Sequence, residues 1–298
     1  MTPQLVPLHG IGSRQDLPLP FEYVLTGAAA ALAVSFVVLA LAWRAPRWQR
    51  PPAGRLLPRF TRLVDHPVTT WSLRGVVLAV WGSAALGLWF GQDRVTNPAF
   101  GFVYVWLWVG LVPLSLFAGP VWRRVNPART ILALLGLVPA VRDRLSTGRP
   151  PRIGLWPGAV ALLGFLWLEL VQPDNNTLGV VRGWAVAWLV WVLAGALAWG
   201  ERWVAMADPF EVVATLVARV SSWRRGGGGL RLVNPLHNLA AGPHRTGTAA
   251  VVVVLLGGTA FDSFGATTGW IQLVQTSGVP GVVWGSVGLL AMIGLVAA

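Results

Sequence analysis

The sequence predicts an all-α, polytopic integral membrane protein of about seven transmembrane helices, with amphipathic interfacial helices in its cytoplasmic loops. Three observations carry that prediction. Apolar residues make up 55% of the chain and charged residues 11%, with a mean hydropathy of +0.62, against roughly 25% charged residues in a soluble domain. Seven apolar runs can be drawn, at 22–43, 72–91, 100–118, 155–172, 183–199, 247–267 and 280–298, each close to the length that crosses a bilayer core as a helix. The 23 basic residues are all arginine, and 20 of them fall in the segments after the first, third and fifth runs. The opposite side keeps only Arg14, Arg94 and Arg182. Under the positive-inside rule this places the N-terminus outside and the arginine loops in the cytoplasm of a bacterial plasma membrane.

The first twenty residues lack a basic n-region followed by an apolar h-region, so no cleavable signal is expected. After the first span, AGRLLPRFTRLVDH places Arg55, Arg59 and Arg62 on one helical face and Leu56, Phe60, Leu63 and Val64 on another, with Pro58 interrupting the helix. NPARTILALLGLV has Asn126 as an N-cap and Pro127 at the first helical position, where the missing N–H costs nothing. DPFEVVATLVARV repeats the pattern, with Asp208 as cap and Glu211, Thr215 and Arg219 as its polar face. All three segments read as helices lying in the inner interface. Arg224–Gly229, RRGGGG, reads as a flexible hinge, and Asn234-Pro235 starts a further short segment. Because Trp122 precedes Asn126-Pro127 and Trp203 precedes Asp208-Pro209, residues 100–172 and 183–267 form a candidate internal repeat.

The sixth span carries the main candidate for chemistry. Its uncharged residues 247–260 rise only about 20 Å, so the helix must continue through Phe261-Asp262-Ser263-Phe264 or break there. Asp262 then lies at or near membrane depth, with Thr259, Ser263 and Thr267 at helical spacing beside it. A carboxylate in that position is a functional candidate by default. Glu169, near the outer end of the fourth span, either pairs with Arg182 or shares an outward-facing pocket with Asp262. Two carboxylates in one low-dielectric site would supply a proton acceptor or general base. Trp270 fits a ligand-stacking surface or an aromatic belt equally well.

Several function classes are excluded. The chain has no cysteine, which removes disulfides, thiolate metal sites, iron–sulfur clusters and covalently attached haem. None of His9, His66, His237 and His244 lies inside an expected span, so a haem held between membrane histidines is not expected. Walker A, GxGxxG with a later acidic residue, HExxH and GxSxG are missing, so no nucleotide site is expected. A divalent metal held outside by His9 and Asp16 with Asp262 and Glu169 is one option, as hard oxygen ligands with one imidazole. The pI near 11.8 fits anionic lipid at the arginine-rich face rather than nucleic acid, because the arginines follow topology.

Residues 9–43, HGIGSRQDLPLPFEYVLTGAAAALAVSFVVLALAW, together with 255–270, LLGGTAFDSFGATTGW, and the Asx-Pro units, resemble the actinobacterial multi-pass membrane proteins labelled fenitrothion hydrolase. The resemblance covers nearly the whole chain and implies relatives longer at both ends. It implies hydrolysis of an organophosphate triester at the membrane and assigns no catalytic residue; the reading of the residues makes Asp262 the general base or metal ligand of such a reaction. The residues alone also fit a transporter or permease component, with Asp262 and Glu169 binding substrate or protons. A third alternative is a non-catalytic membrane subunit that docks a partner.

Overall fold

The computed structural model describes residues 21–42, 54–136, 153–240 and 245–298. The chain is an all-α, polytopic membrane protein. Helix α1 (Phe21–Ala42) belongs to a separate N-terminal unit and is apolar along its length. The larger unit opens with β1 (Arg55–Leu56), α2 (Pro58–Asp65) and α3 (Pro67–Phe90). It continues through α4 (Pro98–Ala118), α5 (Trp122–Val125), α6 (Pro127–Leu134), α7 (Trp156–Leu170) and α8 (Leu178–Trp199). Next come α9 (Glu201–Ala207), α10 (Pro209–Val217), β2 (Trp223–Gly226), β3 (Gly229–Leu232) and α11 (Pro235–Ala240). The chain closes with α12 (Thr248–Gly265), α13 (Thr268–Thr276) and α14 (Gly281–Ala297).

Among the described residues, α1, α3, α4, α8 and α12 are long and apolar enough to cross a membrane, and α7 and α14 are shorter apolar helices. The fifth apolar run is longer than its sequence suggests: α8 begins at Leu178 and reaches 22 residues. Within α4, Gly101–Val109 is wound as a π-helix, and Gly110 donates to the Val105 carbonyl five residues back. Pro113, without an N–H, cannot serve the Val109 carbonyl in the ordinary ladder. The sixth span does not break at Phe261-Asp262; α12 runs through to Gly265.

Asx-Pro caps recur as a local rule. Asn97, Asn126, Asp208 and Asn234 each accept, through a side-chain oxygen, the backbone N–H two residues on. Proline at the first helical position fixes φ, and the cap satisfies a donor the helix leaves open. Two of the helices that these caps start depart from the interfacial expectation. Pro127 to Thr130 of α6 and Pro209 to Ala214 of α10 are buried. Of the three segments expected to lie in the interface, α2 keeps the amphipathic, surface-lying character, with no buried residue.

Side-chain contacts explain the burial. Gly200, at φ +79°, turns the chain back on itself after α8. Helix α9 then runs antiparallel along α8: the Trp203 indole donates to the Trp191 carbonyl at 3.0 Å, and the Trp191 indole to the Ala207 carbonyl at 3.1 Å. Gly195 makes room for this contact, since a side chain there would occupy the space of the Trp203 indole. Seven residues of α9 carry the chain about 10 Å back into the bundle. At its tip, Asp208-Pro209 reverses direction, and α10 descends with Phe210 against Phe165 and Val212 against Gly158. The α9–α10 pair is therefore a re-entrant hairpin, whose irregular backbone is admissible at that depth because protein surrounds it.

The Arg224–Gly229 run is a β-hairpin rather than an unstructured hinge. Strands β2 and β3 pair antiparallel with Gly226 opposite Gly229, leaving Gly227-Gly228 as a two-residue turn, and β1 adds to the other edge of β3. Gly228 at φ +93° and Gly229 at φ +144° take conformations that favour glycine. Arg55 lies in β1, and Pro58 starts α2 instead of interrupting it.

The native absence of cysteine makes a direct test available. A single cysteine at the hairpin turn (Gly227→Cys) and one in the Val95 loop (Val95→Cys) should react with membrane-impermeant maleimide from opposite sides of the bilayer. Ala207→Cys, at the re-entrant tip, should resist labelling from either side; rapid labelling there would remove the buried hairpin.

Candidate functional site: a buried ionic network at the re-entrant tip

The two Asx-Pro caps meet inside the bundle. Asn126 is fully buried and its amide nitrogen donates to Asp208 Oδ2 at 2.7 Å and to Glu211 Oε2 at 3.0 Å. Arg129, one turn after Asn126, grips Glu211 with two prongs: Nε to Oε2 and Nη2 to Oε1, both at 2.8 Å. The same guanidinium donates to the Glu201 carboxylate and backbone carbonyl, each at 3.2 Å. Asp208 also accepts from the Trp122 indole at 3.3 Å and from the Trp188 indole at 3.2 Å. Asp208 and Glu211 are 0% and 1% exposed, so neither charge is relieved by water. The Arg129 guanidinium, the more distant Arg123 at 3.9 Å from Glu211, an amide, two indoles and the positive N-terminal ends of α6 and α10 compensate them instead.

Around Asp208, the rings of Trp81, Trp122, Trp184, Trp188, Phe165 and Phe210 pack edge-on, tilted or stacked, with centroids 5.2–6.3 Å apart in successive pairs. These rings bury the network and, through the indole N–H groups, also hydrogen-bond it. The sequence spacing that signals the site is Trp-x3-Asn-Pro in one unit and Trp-x4-Asp-Pro in the other. The informative detail lies three residues after each Asx, where one unit carries Arg129 and the other Glu211, an opposite-charge pair.

On the arginine-rich side, a cavity of about 620 Å³ opens beside this network, lined by Arg74, Arg123, Arg124, Arg129, Arg225, Asp65 and Glu201 among others. Asp65 ties the strand hairpin to α5. It accepts from Arg225 Nη1 at 3.1 Å and more closely from Arg225 Nη2, and from Arg124 Nη2 at 2.5 Å. The hydrogen bonds from Arg225 and then Arg124 hold its carboxyl down at about 2. Arg124 also donates to the Val64 carbonyl, and Arg74 to the Arg124 carbonyl, so this cationic wall is braced by backbone acceptors.

The expected carboxylate site of Asp262 and Glu169 occupies the other end of the bundle. Glu169 is half-buried near the end of α7, and Asp262 is exposed near the end of α12. The Asp262 charge reaches Glu169 electrostatically. Arg182 does not pair with Glu169: it donates to the Leu88 carbonyl at 2.6 Å and lies over the Trp89 ring. Thr259 and Ser263 return their hydroxyls to carbonyls of their own helix, and Thr267 caps α13. Trp270 packs against Phe261, Phe264 and Trp284. His9 and Asp16 lie outside the described residues. Among those that are described, no group of three or more His, Asp or Glu side chains forms a cation cluster.

Arg129→Ala should destabilise the protein by about 3–5 kcal/mol, the cost of leaving one partner of a buried ion pair alone. Arg129→Lys, which keeps the charge and loses the fork, should fall between that variant and wild type. Thermal denaturation in detergent measures both. No protein-family model, curated protein or solved structure matches the chain, and the functional reading rests on these residues.

Proposed function

We propose that this chain is a permease component of the bacterial plasma membrane that moves a small anion, with its N-terminus outside and its arginine-rich loops in the cytoplasm. The observation that carries the reading is the re-entrant hairpin with Asp208 at its tip and an ion network bonded across two helix N-termini. Discontinuous helices whose ends meet ionisable groups inside the bundle are how transporters build a site without exposing backbone to lipid. Two polar stations then lie along the bundle. The Arg129–Glu211–Asp208 network sits beside the arginine-lined cavity, and Glu169 with Asp262 sits at the other end. Between them lies the packing of Phe165, Trp184 and Phe210, a dry barrier that has to rearrange for passage. The arginines favour an anion, and the carboxylates supply proton sites for coupling. The matching Gly-x2-Trp turns at Gly119 and Gly200, both at positive φ, support treating the two Asx-Pro units as copies of one element.

The reading implied by resemblance is hydrolysis of a phosphotriester at the outer end of the bundle, where Glu169 is half-buried and Asp262 exposed. There Asp262 would act as general base or as ligand to a divalent cation on the outer side.

One experiment separates the two. Protein in liposomes is given an imposed proton gradient with labelled inorganic phosphate, acetate and succinate outside, wild type beside Asp262→Asn. A nitrophenyl phosphotriester is offered in parallel, with and without chelator. Gradient-driven uptake of one of the anions, abolished in Asp262→Asn, is the expected result. Nitrophenol release without uptake of any of them would replace the permease reading with the hydrolase.

A further inference from the structure

A second cavity, of about 300 Å³, lies at the foot of the bundle where α7 and α12 begin and α10 ends. The Leu155 N–H donates to the Thr246 carbonyl at 2.8 Å, fixing the two helix starts together. Leu155, Val212 and Leu216 form an apolar wall; Arg219, Arg224, Arg225 and Arg245 supply the charge. Among the described residues, none that lines it is acidic, in contrast to the larger cavity, where Asp65 and Glu201 stand among the arginines. Arg225 is shared by both cavities and is held by Asp65. Burial and then the nearby Arg245 charge lower the Arg219 guanidinium from its ordinary value.

We propose that this cavity is a binding site for a phosphate ester anion, and that its occupant is the headgroup of an anionic membrane phospholipid. Arg219, Arg224 and Arg245 give the charge and the kind of N–H donor that phosphate oxygens take, while Arg225 is held by Asp65. The source is set by the walls and the place. A free phosphate has no use for a face of Leu155, Val212 and Leu216, whereas a phospholipid lays its glycerol and first methylenes there. The cavity also lies at the ends of apolar helices, where headgroups are found. The proposal is independent of the permease reading, since it concerns Arg219 and Arg245 rather than the buried network. It gives the arginine-rich face one specific site in addition to a diffuse attraction.

The test uses the full chain in a neutral detergent. Native mass spectrometry and thermal denaturation are run with phosphatidylglycerol, with phosphatidylcholine, and with inorganic phosphate. Retention of phosphatidylglycerol with a rise in Tm of several degrees, and neither effect from phosphatidylcholine, is the expected outcome. The double variant Arg219→Gln/Arg245→Gln should weaken phosphatidylglycerol retention about tenfold, while Arg94→Gln, on the opposite side, should leave it unchanged. Arg219→Lys/Arg245→Lys should retain most of the binding, which separates lost charge from lost folding. Equal retention of the two lipids, or full retention by the glutamine variant, overturns the proposal. A Tm rise from inorganic phosphate equal to that from phosphatidylglycerol overturns the lipid assignment in favour of a free anion.

Discussion

The two-pronged bond between Arg129 and Glu211, locked to the Asn126–Asp208 contact beside it, is the interaction on which the rest of this structure depends. A membrane bundle gives its helices little hydrophobic reason to prefer one arrangement, because lipid is as apolar as the helix faces. Buried charges supply that preference, since an unpaired carboxylate inside the bundle costs several kcal/mol and only one geometry pairs these. The network joins α6 to α10 and α9 across more than 70 residues of sequence. It thereby fixes where two short helices, too short to cross anything, come to rest.

The aromatic packing obeys the same constraint. Trp122 and Trp188 reach Asp208 from α5 and α8, and their rings then set the positions of Trp81, Trp184 and Phe210 around them. The tryptophans are therefore used twice, as apolar surface and as hydrogen-bond donors. Glycine at 158 and 195 permits the close approach of the hairpin to α7 and α8, where a larger residue would meet Met206, Val212 or Trp203. The cationic wall on the arginine-rich side is built outward from this core through Arg74, Arg124 and Asp65.

Much of the fold is legible in the chain because the bilayer imposes a length and a composition on any helix that crosses it. All seven apolar runs correspond to apolar helices, and the Asx-Pro caps arise from local chemistry that needs no tertiary context. The fate of the capped helices is not legible. Amphipathicity reports that a helix has a polar face, and that face can meet headgroups or a complementary face inside the protein. For Glu211 the second holds, because Arg129 is 82 residues away in sequence and adjacent in space. The glycine run at 226–229 is ambiguous for a related reason: glycine permits a tight hairpin as readily as a flexible linker, and the pairing of Arg224 with Arg231 across the strands decides between them. Asp262 and Glu169 stand out by the cost of charge in lipid, and that rule points equally to Asp208 and Glu211 once their depth is known.

The central claim is that opposite charge at positions 129 and 211 holds the re-entrant hairpin in place. Exchanging the charges tests it most directly, with thermal unfolding in detergent measured for Arg129→Glu, for Glu211→Arg and for the two combined. Each single exchange should destabilise the protein strongly by burying like charges together, and the double exchange should recover a large part of the loss. Single variants that unfold at the wild-type temperature, or a double variant no better than the sum of its parts, would contradict the account.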